Sequence, residues 1–181
     1  MHRRNLLSAI DDYALRYPEE IGVVQRFRVL LENHSDCFER DCWSGHITGS
    51  AWLVSPDQQH VLLTHHRKLN MWLQLGGHSD GDSKTDAVAV REATEESGLS
   101  VQLLQKNIFD LDVHEIPARK NDPAHYHFDV RYQLKATDEK FRISAESLDL
   151  AWVKLDELER YTEEESILRM RRKWYESNSR D

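Results

Sequence analysis

Gly76-Gly77-His78-Ser79-Asp80-Gly81-Asp82-Ser83, followed after seven residues by Arg91-Glu92-Ala93-Thr94-Glu95-Glu96-Ser97-Gly98-Leu99, is the stretch on which the reading of this 181-residue chain turns. Thr85 to Ser97 carries helix formers. Ser83 or Thr85 offers a capping hydroxyl at its start, and Gly98 stands where a left-handed C-terminal residue is wanted. Glu92, Glu95 and Glu96 stand at i, i+3 and i+4, so a helix sets three carboxylates on one face. Helix stability alone does not select three mutually repelling anions. A hard divalent cation such as Mg²⁺ or Mn²⁺, which prefers carboxylate and water oxygens, would neutralise them. Arg91 either reaches Glu95 at i+4 or holds a neighbouring carboxylate in orientation. The diglycine admits backbone conformations closed to other residues and lets the main chain approach a metal–phosphate closely.

Outward from this stretch, Trp72 to Leu75 reads as a short strand running into Gly76-Gly77, and His78 to Asp82 as a loop. Thr48 to Val54 and His60 to Thr64 are apolar runs around Ser55-Pro56-Asp57, which predicts a hairpin. After Gly98, Val101 to Ile116 and His125 to Leu134 read as two longer strands around a Pro117–Pro123 loop. Leu150 to Val153 is a last strand, and Leu155 to Tyr175 is helical with a weak point near Thr162. At the other end, Leu6, Ile10, Tyr13, Ala14 and Tyr17 recur at helical spacing until Pro18, and Val23, Val24, Phe27, Leu30 and Leu31 mark a second amphipathic helix. The fold class expected is α+β, a mixed sheet with a central helix and a C-terminal helix. A helical N-terminal extension at residues 1–42 precedes the main domain at 43–181.

The charge balance, 24 Lys+Arg against 32 Asp+Glu, gives −8. That argues against a binder of nucleic-acid duplexes, which needs a basic stripe; an acidic protein that handles phosphates is expected to do so through a bound cation. Apolar residues make up 39% of the chain and charged ones 31%, with five Trp, six Tyr and five Phe, which excludes general disorder. No apolar run approaches the roughly 20 residues of a membrane span. Met1-His2-Arg3-Arg4 with Leu6-Leu7 imitates the start of a signal peptide, but Asp11-Asp12 interrupts it. Cys37 and Cys42 form no CxxC and no disulfide framework. Free thiols in a reducing cytoplasm are the better reading of them than a zinc site borrowing His34 or His46.

The spacing of glycine, arginine, glutamates and second glycine resembles the Nudix box: Gly, five residues, Glu, seven residues, Arg-Glu, aliphatic, any, Glu-Glu, any, Gly, aliphatic. Counted from Gly77, everything from Arg91 to Leu99 fits. One position departs, since the first Glu of the box falls on Ser83, with Asp82 one place early. The element order extends the resemblance over Gly45 to Tyr175. It implies a Nudix-type α/β/α sandwich and a metal-dependent pyrophosphohydrolase. The substrate implied is a small-molecule nucleoside diphosphate derivative of the NDP-sugar, CDP-alcohol or ADP-ribose type, and the cofactor Mg²⁺ or Mn²⁺. It implies Gly77, Glu92, Glu95 and Glu96 at the metal, Arg91 beside them, and a glutamate from the box or a later loop as base. Glu146, six residues before Trp152, is the later-loop candidate.

Arg67, Lys68, Arg119 and Lys120 are the candidate phosphate-binding cations, and His78, next to the diglycine, is a further substrate contact. His125 and His127 share one strand face with Asp129. That face is read as lining the pocket, with His127 touching substrate, and a His-x-His zinc site lacks a clear third ligand. Trp72 and Tyr126 either stack on a substrate ring or pack in the core. The N-terminal helices pack on the domain's own sheet, cover the pocket or form a homodimer surface. Two other activities compete with hydrolysis: a non-catalytic nucleotide sensor of the same fold, favoured only by Ser83, and isomerase chemistry on a prenyl diphosphate. The latter wants a cysteine near the sheet, and Cys37 and Cys42 lie upstream.

Overall fold

The strand β1, His46–Val54, is buried along its whole length, because each of its alternating faces meets a different core. In the computed structural model, which describes residues 2–67, 69–119, 122–144 and 147–178, β1 is the centre of an eight-stranded mixed sheet. The other strands are β2 (His60–His66), β3 (Met71–Leu73), β4 (Leu75–His78), β5 (Val101–Leu103), β6 (Asp110–Ile116), β7 (His125–Ala136) and β8 (Ser147–Lys154). β1 runs parallel to β7, from His46 opposite His127 to Val54 opposite Lys135. Its other edge takes β4 antiparallel, with Gly49 opposite Gly77. β7 carries β5 and β6 on its far edge, and β2 lies between β3 and β8.

Four helices cover the sheet: α1 (His2–Arg16), α2 (Ile21–Asn33), α3 (Thr85–Ser97) and α4 (Glu165–Asn178). Ile47, Ala51 and Leu53 of β1 join one core with Ile10, Phe27, Leu31, Ala89 and Ala93 from the first three helices. Trp52 and Val54 join a second core with Ile167, Met170 and Trp174 of α4. Each fully buried aliphatic or aromatic side chain contributes about 1.5–3 kcal/mol, so α1 and α2 are bound to the domain's own core. Phe27 meets Phe128 edge-on at 5.2 Å. α3 lies unusually close to β1: a Cβ at Gly49 would come within 2.8 Å of the Thr85 carbonyl oxygen and 2.9 Å of Val88.

Several expected elements are corrected. The β1–β2 hairpin is joined only where Val54 faces Val61, because β4 takes the edge of β1. The Trp72–Leu75 strand is two strands that change partner at Gln74, β3 pairing with β2 and β4 with β1. β4 runs through the diglycine to His78, which is strand where the sequence predicts loop. Val101–Ile116 is broken by the polar Gln105-Lys106-Asn107, which leave the ladder before Phe109 rejoins the Arg131 carbonyl at 2.8 Å. No hydroxyl caps α3. Lys84 occupies the N-cap without a side-chain bond, the Asp82 carboxylate accepts the Lys84 amide at 2.9 Å, and the Thr85 hydroxyl is engaged with the Tyr132 hydroxyl at 2.7 Å. Gly98 closes α3 at φ 69° as its position predicts. The C-terminal helical stretch divides into a 3-10 turn, Leu155–Arg160, and α4, with the break on either side of Thr162.

Candidate active site

β4 and α3 meet at the diglycine. Gly76 donates its amide to Glu96 Oε1 at 2.8 Å, and Glu96 is only 9% exposed although it is a carboxylate. One turn earlier, the Glu92 carboxyl lies over Gly77, where an added Cβ would sit 2.6 Å from Glu92 Cδ. Only glycine permits that approach. Arg91 Nη2 donates to the His78 carbonyl at 2.7 Å and to Glu92 Oε1 at 2.8 Å. Of the two roles open to Arg91, the structure selects orientation of the neighbouring carboxylate. The hydrogen bond to Glu92 and its charge hold the guanidinium pKa above its ordinary value. Glu95 faces solvent. Two carboxylates are thus drawn against a strand, while a third on the same helix faces solvent; carboxylate oxygens are the donors that a hard divalent cation prefers.

The remaining expected residues are placed as follows. Arg67 Nη2 donates to the Ser147 carbonyl at 2.9 Å, bracing the start of β8. Arg119 is exposed and pairs through its backbone with Asp122. Lys68, Lys120 and Glu146 lie outside the described residues. Trp72 stacks on His65 at 5.0 Å and meets Tyr161 edge-on, and Tyr126 lies under Arg26 at 4.9 Å.

His78 and His127 are brought together, ring centroids 5.0 Å apart, in a patch that also holds His46, His114 and His125. Only part of this patch was legible beforehand: the His-x-His of β7 marks two rings, while the parallel register that sets His46 opposite His127 leaves no local trace. Burial pushes His46 down to about 4 and His127 down to about 2. Asp129, further along the same face, accepts from Thr48, Ser50, Gln74 and Arg131 at 2.8, 2.7, 3.0 and 2.7 Å. Four donors saturate it, so that end of the face is packed rather than open to a ligand.

Beyond Asp129 lies a buried ionic network that the sequence reading missed. The Arg131 guanidinium bonds Asp129 and, at 3.0 Å, Asp110. Asp110 also receives Arg169 at 2.7 Å and Lys173 at 2.7 Å. Burial opposes the charge on Asp110, but the Arg169 hydrogen bond and the charges of Arg131 and Lys173 hold its pKa below the carboxylate range. Lys173 reaches on to the Tyr13 hydroxyl at 2.6 Å and Glu20 at 2.6 Å. Cys37 and Cys42 are both free and buried. Cys42 groups with His34 and Asp36 rather than with Cys37.

The candidate site thus lies where a glycine strand of the mixed sheet is drawn against a glutamate-bearing helix. The family profile described as NUDIX domain matches residues 45–174, and the chain belongs to the Nudix family. Among solved structures it is similar to a Nudix-family hydrolase from Clostridium perfringens, at 25% identity and TM-score 0.59, over 71% of this chain and 95% of that one. Two others share the fold. One is a Caenorhabditis elegans Ap4A hydrolase in a binary complex, at 13% identity and TM-score 0.54, over 75% of this chain and 98% of that one. The other is the Nudix domain of Shewanella oneidensis NrtR complexed with ADP ribose, at 17% identity and TM-score 0.51, over 83% of this chain and 97% of that one. No curated protein matches the sequence. Among the described residues no helix is long and apolar enough to cross a membrane.

Proposed function

We propose that the chain is a metal-dependent pyrophosphohydrolase of the cytoplasm that cleaves the diphosphate linkage of a nucleoside diphosphate derivative, an NDP-sugar, a CDP-alcohol or an ADP-ribose-like compound. The observation that carries the proposal is the convergence of Glu92 on Gly77 and Glu96 on Gly76, which gathers oxygen donors against one strand in an acidic protein. Glu92, Glu95 and Glu96 hold Mg²⁺ or Mn²⁺ in this reading, beside Gly77. When bound, the cation neutralises pyrophosphate charge and acidifies the attacking water. Arg91 fixes the Glu92 carboxylate, so that the donor set is assembled before substrate arrives. Glu146 takes the proton from water, and Arg119, Lys120 and Lys68 meet the non-reacting phosphate. Nucleotide derivatives are the first compounds to test, because an Ap4A hydrolase and an ADP-ribose-bound domain are built on the same fold.

The test is phosphate release, with Mg²⁺ or Mn²⁺ and a coupled phosphatase, from ADP-ribose, NDP-sugars, CDP-alcohols, dinucleoside polyphosphates and triphosphates. A signal from a diphosphate derivative that vanishes in Glu96→Gln supports the reading and names the leaving moiety. Ser83, in place of the first glutamate of the box, favours a second reading, a nucleotide sensor. Silence across the panel together with thermal stabilisation by one of these nucleotides would establish the sensor instead.

A further inference from the structure

Five histidines converge on one sheet face from four strands: His46 from β1, His78 from β4, His114 from β6, and His125 and His127 from β7. His46 lies 4.8 Å from His127, 4.9 Å from His125 and 5.1 Å from His78, centroid to centroid. His114 meets His127 at 5.4 Å. Ligand nitrogens of His46, His125 and His127 all lie within 4.8 Å of one another. His46 is 1% exposed, and neither of its ring nitrogens has a hydrogen-bond partner. A buried imidazole with a bare acceptor is costly, and the rings beside it offer imidazole rather than carboxylate or hydroxyl.

We infer that His46, His125 and His127 form a binding site for a borderline-soft divalent ion of the Zn²⁺ class, separate in its donors from the glutamates of α3. Imidazole selects Zn²⁺, Co²⁺, Ni²⁺ or Cu²⁺, whereas carboxylates suit Mg²⁺ and Mn²⁺. Two imidazole nitrogens on one tetrahedral ion, each about 2.0–2.1 Å from it, sit about 3.3 Å apart. The ligand atoms of the trio, at most 4.8 Å apart, need to draw together by up to about 1.5 Å to share one ion. The partners around the rings match those of metal-bound histidines. His125 Nδ1 donates to the Pro123 carbonyl at 2.8 Å, which fixes the tautomer with the Nε2 lone pair exposed for an ion. His114 is braced likewise by Asp112 at 3.2 Å and stands with His78 at the edge of the trio. Three neutral ligands leave the full charge of the ion in place and a fourth position for water or an anionic oxygen. This is the arrangement of an open site, one strand away from the diglycine.

The test uses the full chain stripped with a chelator, then titrated with Co²⁺ and, in competition with a chromogenic chelator, with Zn²⁺. The expected result is a single tight equivalent at the histidines, with the visible bands of cobalt in a nitrogen site and no thiolate charge-transfer band. Cobalt at His34, Asp36 and Cys42 would give that band and lose it in Cys42→Ser. Binding should survive excess Mg²⁺ and the Glu92→Gln, Glu96→Gln double variant, and weaken about a hundredfold or more in His125→Ala and His127→Ala. His125→Gln, which keeps volume, guards against loss by misfolding, with far-UV circular dichroism as the check. Unchanged Zn²⁺ affinity in both histidine variants, or binding that disappears with the glutamates, would overturn the site. Because the glutamate double variant abolishes the proposed hydrolysis but not this binding, the two proposals fail separately.

Discussion

The amide of Gly76 and the carboxylate of Glu96 are 20 residues apart in sequence and joined by a 2.8 Å hydrogen bond. The bond ties a nearly buried acid to the main chain of the sheet. Glu96→Gln keeps the volume and an oxygen that can accept the same amide, and removes only the charge. Turnover should fall about a hundredfold or more, as expected when a metal that generates the nucleophile is weakened, with an unchanged melting temperature. A rate within a few fold of the parent would remove Glu96 from the chemistry.

The two glycines before it are required for different reasons, and their alanine variants separate them. At Gly77 the added methyl meets the end of a side chain, the Glu92 carboxyl. That side chain can swing away, so Gly77→Ala should fold normally and need more Mg²⁺ for half-maximal rate. At Gly76 the methyl meets the Ser50 hydroxyl, its Cβ at 2.7 Å and its backbone Cα at 2.8 Å, so turning the hydroxyl away does not relieve it. Gly76→Ala should therefore lose about 1–3 kcal/mol of stability. Urea denaturation of both variants alongside Mg²⁺ titrations would read the contrast.

Arg131 is fully buried between Asp129 and Asp110. Removing one partner strands the others without water. Arg131→Met should cost about 3–5 kcal/mol, more than Arg160→Met at the exposed pair with Glu157, which should change stability by less than about 1 kcal/mol. Equal urea midpoints for the two variants would contradict a net stabilising role for the network.

Acid sensitivity follows from the histidine patch. His46 is depressed to about 4 and His127 to about 2 by burial, with the neighbouring His78 and His125 adding to both and His114 to His127. Above the ordinary imidazole value of about 6.5, neither state carries the proton and the stability is fully present. Below it the unfolded chain binds protons that the folded one refuses, so stability falls with falling pH, for His46 until about 4. The slope is about 1.4 kcal/mol per pH unit for each such histidine. Urea midpoints at pH 7 and pH 5 in the presence of chelator would show it, and His127→Asn should flatten the dependence. A pH-independent midpoint over that range would mean the rings are wetter than their burial implies.

The glutamate helix was legible because its information is local: the spacing of Glu92, Glu95 and Glu96 and the stop at Gly98 are written within one segment. The strands were legible in approximate place, six where the structure has eight, but not in partnership. Gln74 looks like one residue of a strand, and only the folded chain shows that β3 and β4 part there to pair with β2 and β1. His46 sits opposite His127 because β1 and β7 run parallel across a sequence separation of 81, that of Thr48 from Asp129 in the same ladder. Arg131 and Lys173 likewise carry no local mark of their burial, since a charge is buried only when distant partners arrive together.

That convergence orders events in time. Tyr13 is made well before Lys173, yet its hydroxyl meets that lysine across a separation of 160 residues. Asp110 at the sheet edge waits for the same lysine and for Arg169. A chain stopped short of α4 leaves Asp110 with Arg131 but without Lys173 and Arg169, and leaves the second core without Ile167, Met170 and Trp174. The second core and the ionic network therefore close only after α4 has been made, and until then their apolar surface stays open to wrong partners.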